Sequence, residues 1–338
     1  MRFSVPWRYL VKRIIERIIL LIVIINFLFL IIYIIPIYVA HLNPAEFYVP
    51  LSYKGLSRST QVEAIDREFG LNQPIFVQYI DYVKNMLTFH FGYSLIYDEP
   101  VSKIILQALP VDLIILVPSL ILSTVFAIGL GLFSAVRFGR LSDSINTFFA
   151  ILTYFIPGFW VLIIFLQIFG FQLGLFPTNI AQALISPSGA PLHGWAYIAG
   201  LIKFSIAPII ILALLAYGVR MALTRSYGVE SMGSSYVTYL RAKGIPERSV
   251  VYKHVMRNAI IPAITRTGID FAFVIAGSVF VEDIFGFYGM GELLYRSALT
   301  FNVQILGDAF YILSLYVIVV LLVLDFIYPL IDPRVKYE

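Results

Sequence analysis

The chain has 338 residues; 60% are hydrophobic, 13% are charged, the formal net charge is +4 and there is no cysteine. Soluble chains run at roughly 45–50% apolar and about 25% charged, so a soluble fold of this length cannot hide its apolar surface, and the solvent implied is lipid. The absent cysteine excludes a disulfide framework, a thiolate zinc site and an iron–sulfur cluster. The basic residues lie between apolar runs rather than on one face, which argues against a nucleic-acid binder.

In chain order, a bilayer core of about 30 Å calls for roughly 20 apolar residues in helix. The first such run, 14–35, follows a basic flank of Arg8, Lys12, Arg13 and Arg17, with Asn26 as its main polar interruption. It is longer than the about 7–15 apolar residues of a signal peptide, so it is predicted to stay as a membrane helix. A hydrophilic stretch, 36–111, is long enough to fold locally. A helix is predicted over 59–69, with Ser59 or Thr60 as its cap, Glu63 in capping-box position and Gly70 as its stop. A second is predicted over 74–88, with Pro74 at its first position. Further spans are predicted at 112–136, 147–170, 200–222, 267–281 extended toward 285, and 305–331. The fifth is the weakest, because it carries Asp270 and two glycines. No internal repeat is visible.

The expected fold is therefore an all-α polytopic membrane protein with six transmembrane helices. Residues 1–35 are an N-terminus and first helix, and 36–111 an external loop. Residues 112–331 are a core of five helices containing a cytoplasmic loop, 225–266; residues 332–338 are a tail. Lysine and arginine concentrate before helix one, after helix two, between helices four and five (Arg220 to Arg266) and at Arg334 and Lys336. The excess of positive charge on inner loops predicts that both termini are cytoplasmic, in the plasma membrane.

The search for catalytic chemistry is negative. His41, His90, His193 and His254 are scattered without metal-ligand spacing, and no nucleophile elbow or phosphate-binding loop is present. No catalytic residue, cofactor or metal is expected. Gly129 and Gly131 suit close helix packing rather than a dinucleotide fingerprint. Among polar residues in the spans, Asp112 and Lys203 sit near predicted outer ends and are expected to reach water. Asp270 and Asp325 either pair with Arg266 or Arg334 or line a polar path, and Gln167 is expected to make an interhelical hydrogen bond.

The most informative segment is Ser235–Ile261. Tyr236, Tyr239, Leu240 and Lys243 follow helical spacing. Gly244 suits a left-handed stop, Pro246 the first turn of a following helix, and Glu247 its positive end. Val251, Val255 and Ala259 form an apolar stripe away from Arg248, Lys253 and Arg257. Pattern alone leaves two readings open: a pair of helices around a tight corner, or a basic helix lying on lipid headgroups.

These residues resemble the cytoplasmic loop of dipeptide/oligopeptide-type permease subunits of ABC transporters. Tyr239-Leu-Arg-Ala-Lys-Gly-Ile245 and then Arg257-Asn-Ala-Ile-Ile-Pro262, with His254, are similar to that group's A-R-A-K-G-L and R-H-x-x-R-N-A-x-x-P. Five further stretches resemble it in order: Gly70–Tyr79, Phe91–Leu95, Pro157–Trp160, Val281–Gly291 and Asp332–Lys336. Ser235 stands where the group often has an acid, Leu240 replaces an alanine and Pro246 a serine. The resemblance implies a pore-forming subunit without enzymatic activity of its own. Its partners would be a second homologous permease, two ATPases that hydrolyse ATP, an external solute-binding protein and membrane lipid. It implies that Tyr239, Leu240, Arg241, Ala242, Lys243, Gly244, Ile245, Pro246 and Glu247 couple to an ATPase. The cargo implied is peptide, or a related solute such as an oligosaccharide or metal chelate. The alternatives are a self-powered secondary transporter, for which a charged relay through several helices is missing, and a membrane-embedded enzyme, for which no nucleophile–base set is visible.

Overall fold

The computed structural model of the chain describes residues 7–39, 41–49, 57–68, 70–94, 96–186, 189–273, 279–300 and 302–331. Among these, four helical runs are long and apolar enough to cross a membrane: Trp7–Tyr38, Val101–Val136, Gly194–Met232 and Val303–Ile327. Leu141–Phe155 and Gly158–Gln172, bent by 94° at their junction, pass the same test together and form either a broken fifth span or a re-entrant pair. The all-α polytopic expectation holds, with local corrections.

The principal helices are α1 (Trp7–Phe29), α2 (Arg58–Glu68), α3 (Ile75–Leu87), α4 (Val101–Val136), α5 (Leu141–Phe155), α6 (Gly158–Phe165), α7 (Gly194–Met232), α8 (Ser235–Ala242), α9 (Ile261–Phe273), α10 (Val279–Phe285), α11 (Met290–Leu299) and α12 (Val303–Ile331). Helix α4 starts eleven residues before the predicted 112, because Val101–Leu109 is apolar enough to pack on α1, α11 and α12. Its 36 residues rise about 54 Å, more than a bilayer core of about 30 Å, so it projects beyond the apolar layer. The predicted span 147–170 is not one rod. Pro157 lacks an N–H, and the residue before a proline is driven from helical to extended backbone; Ile156 accordingly sits at φ −72°, ψ 125°. The fifth predicted span corresponds to α9 and α10, and its middle, 274–278, lies outside the described residues. The 332–338 tail, with Arg334 and Lys336, also lies outside them.

Contacts fix how the helices run. Arg220 meets Ser123, Gly131 lies against Met221 and Thr224, and Gly228 lies against Ala135; α4 and α7 therefore run parallel. Asp143 meets Arg225 while Gly218 lies against Ala150, so α5 runs opposite to α7. Arg17 meets Asp325 while Gly307 lies against Ile32, so α1 and α12 are antiparallel. Helices α4 and α7 approach closely because Gly131 lacks a side chain: a Cβ there would sit 2.6 Å from the Thr224 Cβ. Gly129, expected to pack likewise, has nothing within 4 Å of a built Cβ.

The segment between α1 and α4 folds on its own. Ser57, rather than the predicted Ser59 or Thr60, caps α2: the Thr60 N–H lies 3.4 Å from its Oγ. Gly70 turns the chain at φ +63°. Pro74 is the N-cap of α3 rather than its first residue. A hairpin pairs Tyr93 with Pro100 and Ser94 with Glu99. Apolar residues of this segment share one core with α1, the start of α4, α11 and α12.

Candidate functional site

The loop between α7 and α9 builds a rigid corner from its own sequence. Helix α8 ends in two hydrogen bonds: Gly244 N–H to Arg241 C=O at 2.9 Å and Ile245 N–H to Leu240 C=O at 3.3 Å. This pairing needs a left-handed residue just past the helix, and Gly244 supplies it at φ +75°. Leu240 and Ile245 close the corner by packing on the same cluster, formed by Val237, Val250, Val251, Val255 and Leu132. Pro246 then caps Glu247–Ser249, a wider turn spans Val250–Val255, and Met256–Ala259 leads into α9. The predicted stripe of Val251, Val255 and Ala259 is buried. Asn258 donates to the Tyr236 hydroxyl at 3.1 Å, and Ala259 packs 3.8 Å from where a Gly228 Cβ would stand. The Arg-Asn-Ala stretch thus ties the corner to the end of α7.

The corner also shows an outward face. Tyr239, Arg241, Ala242, Lys243, Pro246, Glu247 and Arg248 are exposed, and Tyr239 is 59% exposed. Lys243 Nζ lies 4.6 Å from the centre of the Tyr239 ring, a cation–π distance. Arg241 grips Glu247 with Nε to Oε2 at 3.0 Å and Nη2 to Oε1 at 2.6 Å. That hydrogen bonding holds the Glu247 carboxyl below its ordinary value and raises the Arg241 guanidinium. Arg241 is thus engaged within the loop itself.

A second constellation lies between α4, α7 and α9. The Arg220 Nη1 donates to Ser123 Oγ at 3.0 Å and to Ala216 C=O at 2.7 Å. Its Nη2 is paired with Asp270, which also takes Arg266 Nε at 2.9 Å. Thr124 and Thr267 meet at 2.9 Å. A cavity of about 380 Å³ opens beside this cluster, walled by Leu116, Ser119, Tyr154, Leu212 and Leu215 together with the three charged residues. The arrangement gives a net positive, hydrogen-bonding patch in an otherwise apolar bundle. Asp270 takes the predicted Arg266 and, in addition, Arg220, which sequence reasoning counted only as a loop charge. The signal was there: Arg220 falls inside the apolar run 200–222.

Three other expectations change. Asp325 pairs with Arg17 at 2.7 Å and Arg13 at 3.9 Å, joining α1 to α12, while the expected partner Arg334 lies outside the described residues. Gln167 is exposed and makes no interhelical hydrogen bond among the described residues. Asp112 does not reach water; it is 1% exposed and accepts the Met290 N–H at 2.8 Å. Glu282, 1% exposed, accepts the Glu292 N–H at 2.7 Å. Two carboxylates from other helices thus satisfy the free N–H groups opening α11. Gly289 is glycine because a Cβ would lie 2.6 Å from Asp112 Oδ1 and from Glu282 Oε2. That explains the Val281–Gly291 stretch, whose acid and glycines sequence reasoning matched without a cause. Lys203 is exposed. Among the described residues no three histidines or carboxylates gather to hold a metal.

Comparison with known proteins agrees with this architecture. A family described as "Binding-protein-dependent transport system inner membrane component" matches residues 127–337, and the N-terminal part of such membrane components matches residues 6–116. The dipeptide transport system permease protein of Lactococcus lactis subsp. cremoris is 34% identical over 277 residues, covering 82% of this chain and 86% of its own. The oligopeptide transport system permease protein of Bacillus subtilis is 32% identical over 288 residues, covering 83% and 89%. The glutathione transport system permease protein of Salmonella typhi is 30% identical over 331 residues, covering 98% and 99%.

Proposed function

This chain belongs to the family of binding-protein-dependent transport system inner membrane components, and on that footing we propose that it is a pore-forming permease of an ATP-driven peptide importer. It works with a second permease, with two ATPases on the cytoplasmic side and with a solute-binding protein outside. Both termini and the loop 225–266 face the cytoplasm; 36–111 faces outward. The relatives' cargoes, dipeptides, oligopeptides and glutathione, favour a peptide over an oligosaccharide or a chelate.

The observation that carries this reading is the exposed corner at 239–247. Tyr239, Leu240, Arg241, Ala242, Lys243, Gly244, Ile245, Pro246 and Glu247 form the lever on which an ATPase acts. Tyr239 and Lys243 present the contact face, and Leu240 and Ile245 anchor it. The Arg241–Glu247 pair stiffens it. A push on this corner reaches α7 and α9 through the valine cluster and Asn258, and these are the helices that carry Arg220, Arg266 and Asp270. Closure of the ATPase dimer on ATP thereby tilts the helices around the cavity, opening it outward. The net positive cluster offers the moving peptide's carboxylate a partner that releases it again, because Asp270 competes for the same guanidinium groups.

The test is reconstitution. The chain, purified with its second permease, both ATPases and the binding protein in proteoliposomes, is expected to take up labelled peptide only with ATP. Peptide uptake by this chain alone, driven by an ion gradient, refutes the reading in favour of a self-powered carrier.

A further inference from the structure

Where α1, α3 and the start of α12 meet, the chain forms a small, partly open void that the transport reading does not use. It has about 20 Å³ open to the centre of a water-sized guest, against the roughly 10–15 Å³ that one water needs. Tyr33 of α1's continuation, Tyr48, Tyr82 and Asn85 of the segment before α4, and Gln304 and Asp308 of α12 wall it. Ile32, Met86, Phe91 and the exposed His90 complete the lining. Gly307 lets α12 seal against α1; a Cβ there would run into Ile32 Cδ1.

The chemistry of the walls is one-sided. Asp308 is 6% exposed and has neither an ion pair nor a hydrogen bond among the described residues. Tyr82, also 6% exposed, has a hydroxyl with no hydrogen-bond partner among them. The Gln304 amide nitrogen is spent on Phe91 C=O at 2.8 Å, which leaves its oxygen for the void. A buried carboxylate without a counter-charge is costly. The space beside it is small enough for one guest, and its polar lining is mostly oxygen: the Asp308 carboxyl, the Tyr82 hydroxyl, the hydroxyls of Tyr33 and Tyr48, which bond each other at 3.3 Å, and the Gln304 amide. Oxygen ligands select hard cations. One carboxylate balances one positive charge; a divalent ion would leave a buried surplus.

We propose that this void is a binding site for a single dehydrated monovalent cation of about sodium size, held by Asp308 with Tyr33, Tyr48, Tyr82 and Gln304. Bound there, it joins α1, the segment before α4 and α12, so occupancy stiffens the attachment of that segment to the bundle.

The experiment uses the full chain in lipid nanodiscs at constant pH and ionic strength, titrating sodium chloride against choline chloride, an organic cation too large for the void. Thermal unfolding and equilibrium binding of radioactive sodium are read together. Saturable stabilisation by sodium, with about one ion bound per chain, is expected. Asp308→Asn is expected to abolish both signals. Tyr82→Phe, which removes one oxygen without changing shape, is expected to raise the half-saturating concentration by about tenfold or more and keeps the proposal testable if Asp308→Asn does not fold. Equal unfolding in both salts overturns the proposal and leaves a water in the void. Stability that follows pH but not sodium also overturns it, with a proton on Asp308 instead. Sodium binding unchanged in the variants places the ion elsewhere and overturns it too.

Discussion

Substituting Gly244 separates a coupling corner from a helix that merely rests on lipid. Gly244 holds φ +75°, and nothing stands within 4 Å of a Cβ built there. The penalty for a side chain is therefore conformational rather than steric. Left-handed backbone costs an ordinary residue about 1–2 kcal/mol, and a β-branched residue more, about 3 kcal/mol. With 1.4 kcal/mol per factor of ten, Gly244→Val lowers the equilibrium population of the closed corner by about a hundredfold relative to the open one. Asparagine tolerates this region, so Gly244→Asn is expected to cost well under 1 kcal/mol. Because no neighbour is displaced, both variants are expected to insert normally in the membrane. The assay is peptide transported per ATP hydrolysed by the reconstituted importer. Near-normal stoichiometry is expected for Gly244→Asn. For Gly244→Val, loss of most transport is expected, with hydrolysis uncoupled or the ATPases released. Normal transport and stoichiometry in Gly244→Val refute the lever.

Asp143, whose side chain is 2% exposed, meets Arg225 Nε at 2.6 Å, and Asp143→Ala is expected to destabilise the α5–α7 contact by about 3 kcal/mol, seen as a lower unfolding temperature in nanodiscs. Gly289→Ala puts a methyl 2.6 Å from two carboxylate oxygens; a loss of about 1–3 kcal/mol is expected, whereas Gly129→Ala, with nothing within 4 Å, is expected to be neutral or stabilising. The Glu247 carboxyl is lowered by its bond to Arg241, so the pair's contribution is complete above the ordinary carboxylate value and lost as pH falls through the lower, folded one. Because both side chains are about half exposed, Glu247→Gln is expected to change stability at pH 7 by less than about 1 kcal/mol, and Lys243→Gln to affect coupling less than Gly244→Val. In this cysteine-free chain, Ser57→Cys is expected to react with an impermeant thiol reagent in intact cells and Ser249→Cys only after permeabilisation; the reverse pattern overturns the orientation.

The features legible in the sequence were local or repetitive. Long apolar runs require lipid whatever they pack against, so the all-α membrane class and the main helices were legible. The corner at Gly244 was legible because helix periodicity, a left-handed stop and a following proline all act within about ten residues. The resemblance located the same loop through ordered short stretches. Pro157 stands in the sequence, but the 94° bend is not legible from hydropathy, which averages over a proline that backbone geometry cannot ignore.

Tertiary structure decided where the charged and polar side chains within the spans went. Asp112 looked like a helix-end charge until α11 was seen to bring its N–H groups to it. Asp325 took Arg17 across 308 positions of chain, a choice no periodicity records. Arg220 became the centre of a cluster only because Gly131 and Gly228 let α4, α7 and α9 close around it. Burial in lipid makes an unmatched charge costly but does not say which partner matches it. That is set by the approach of distant helices, and the glycines that permit the approach read, in sequence, like any others.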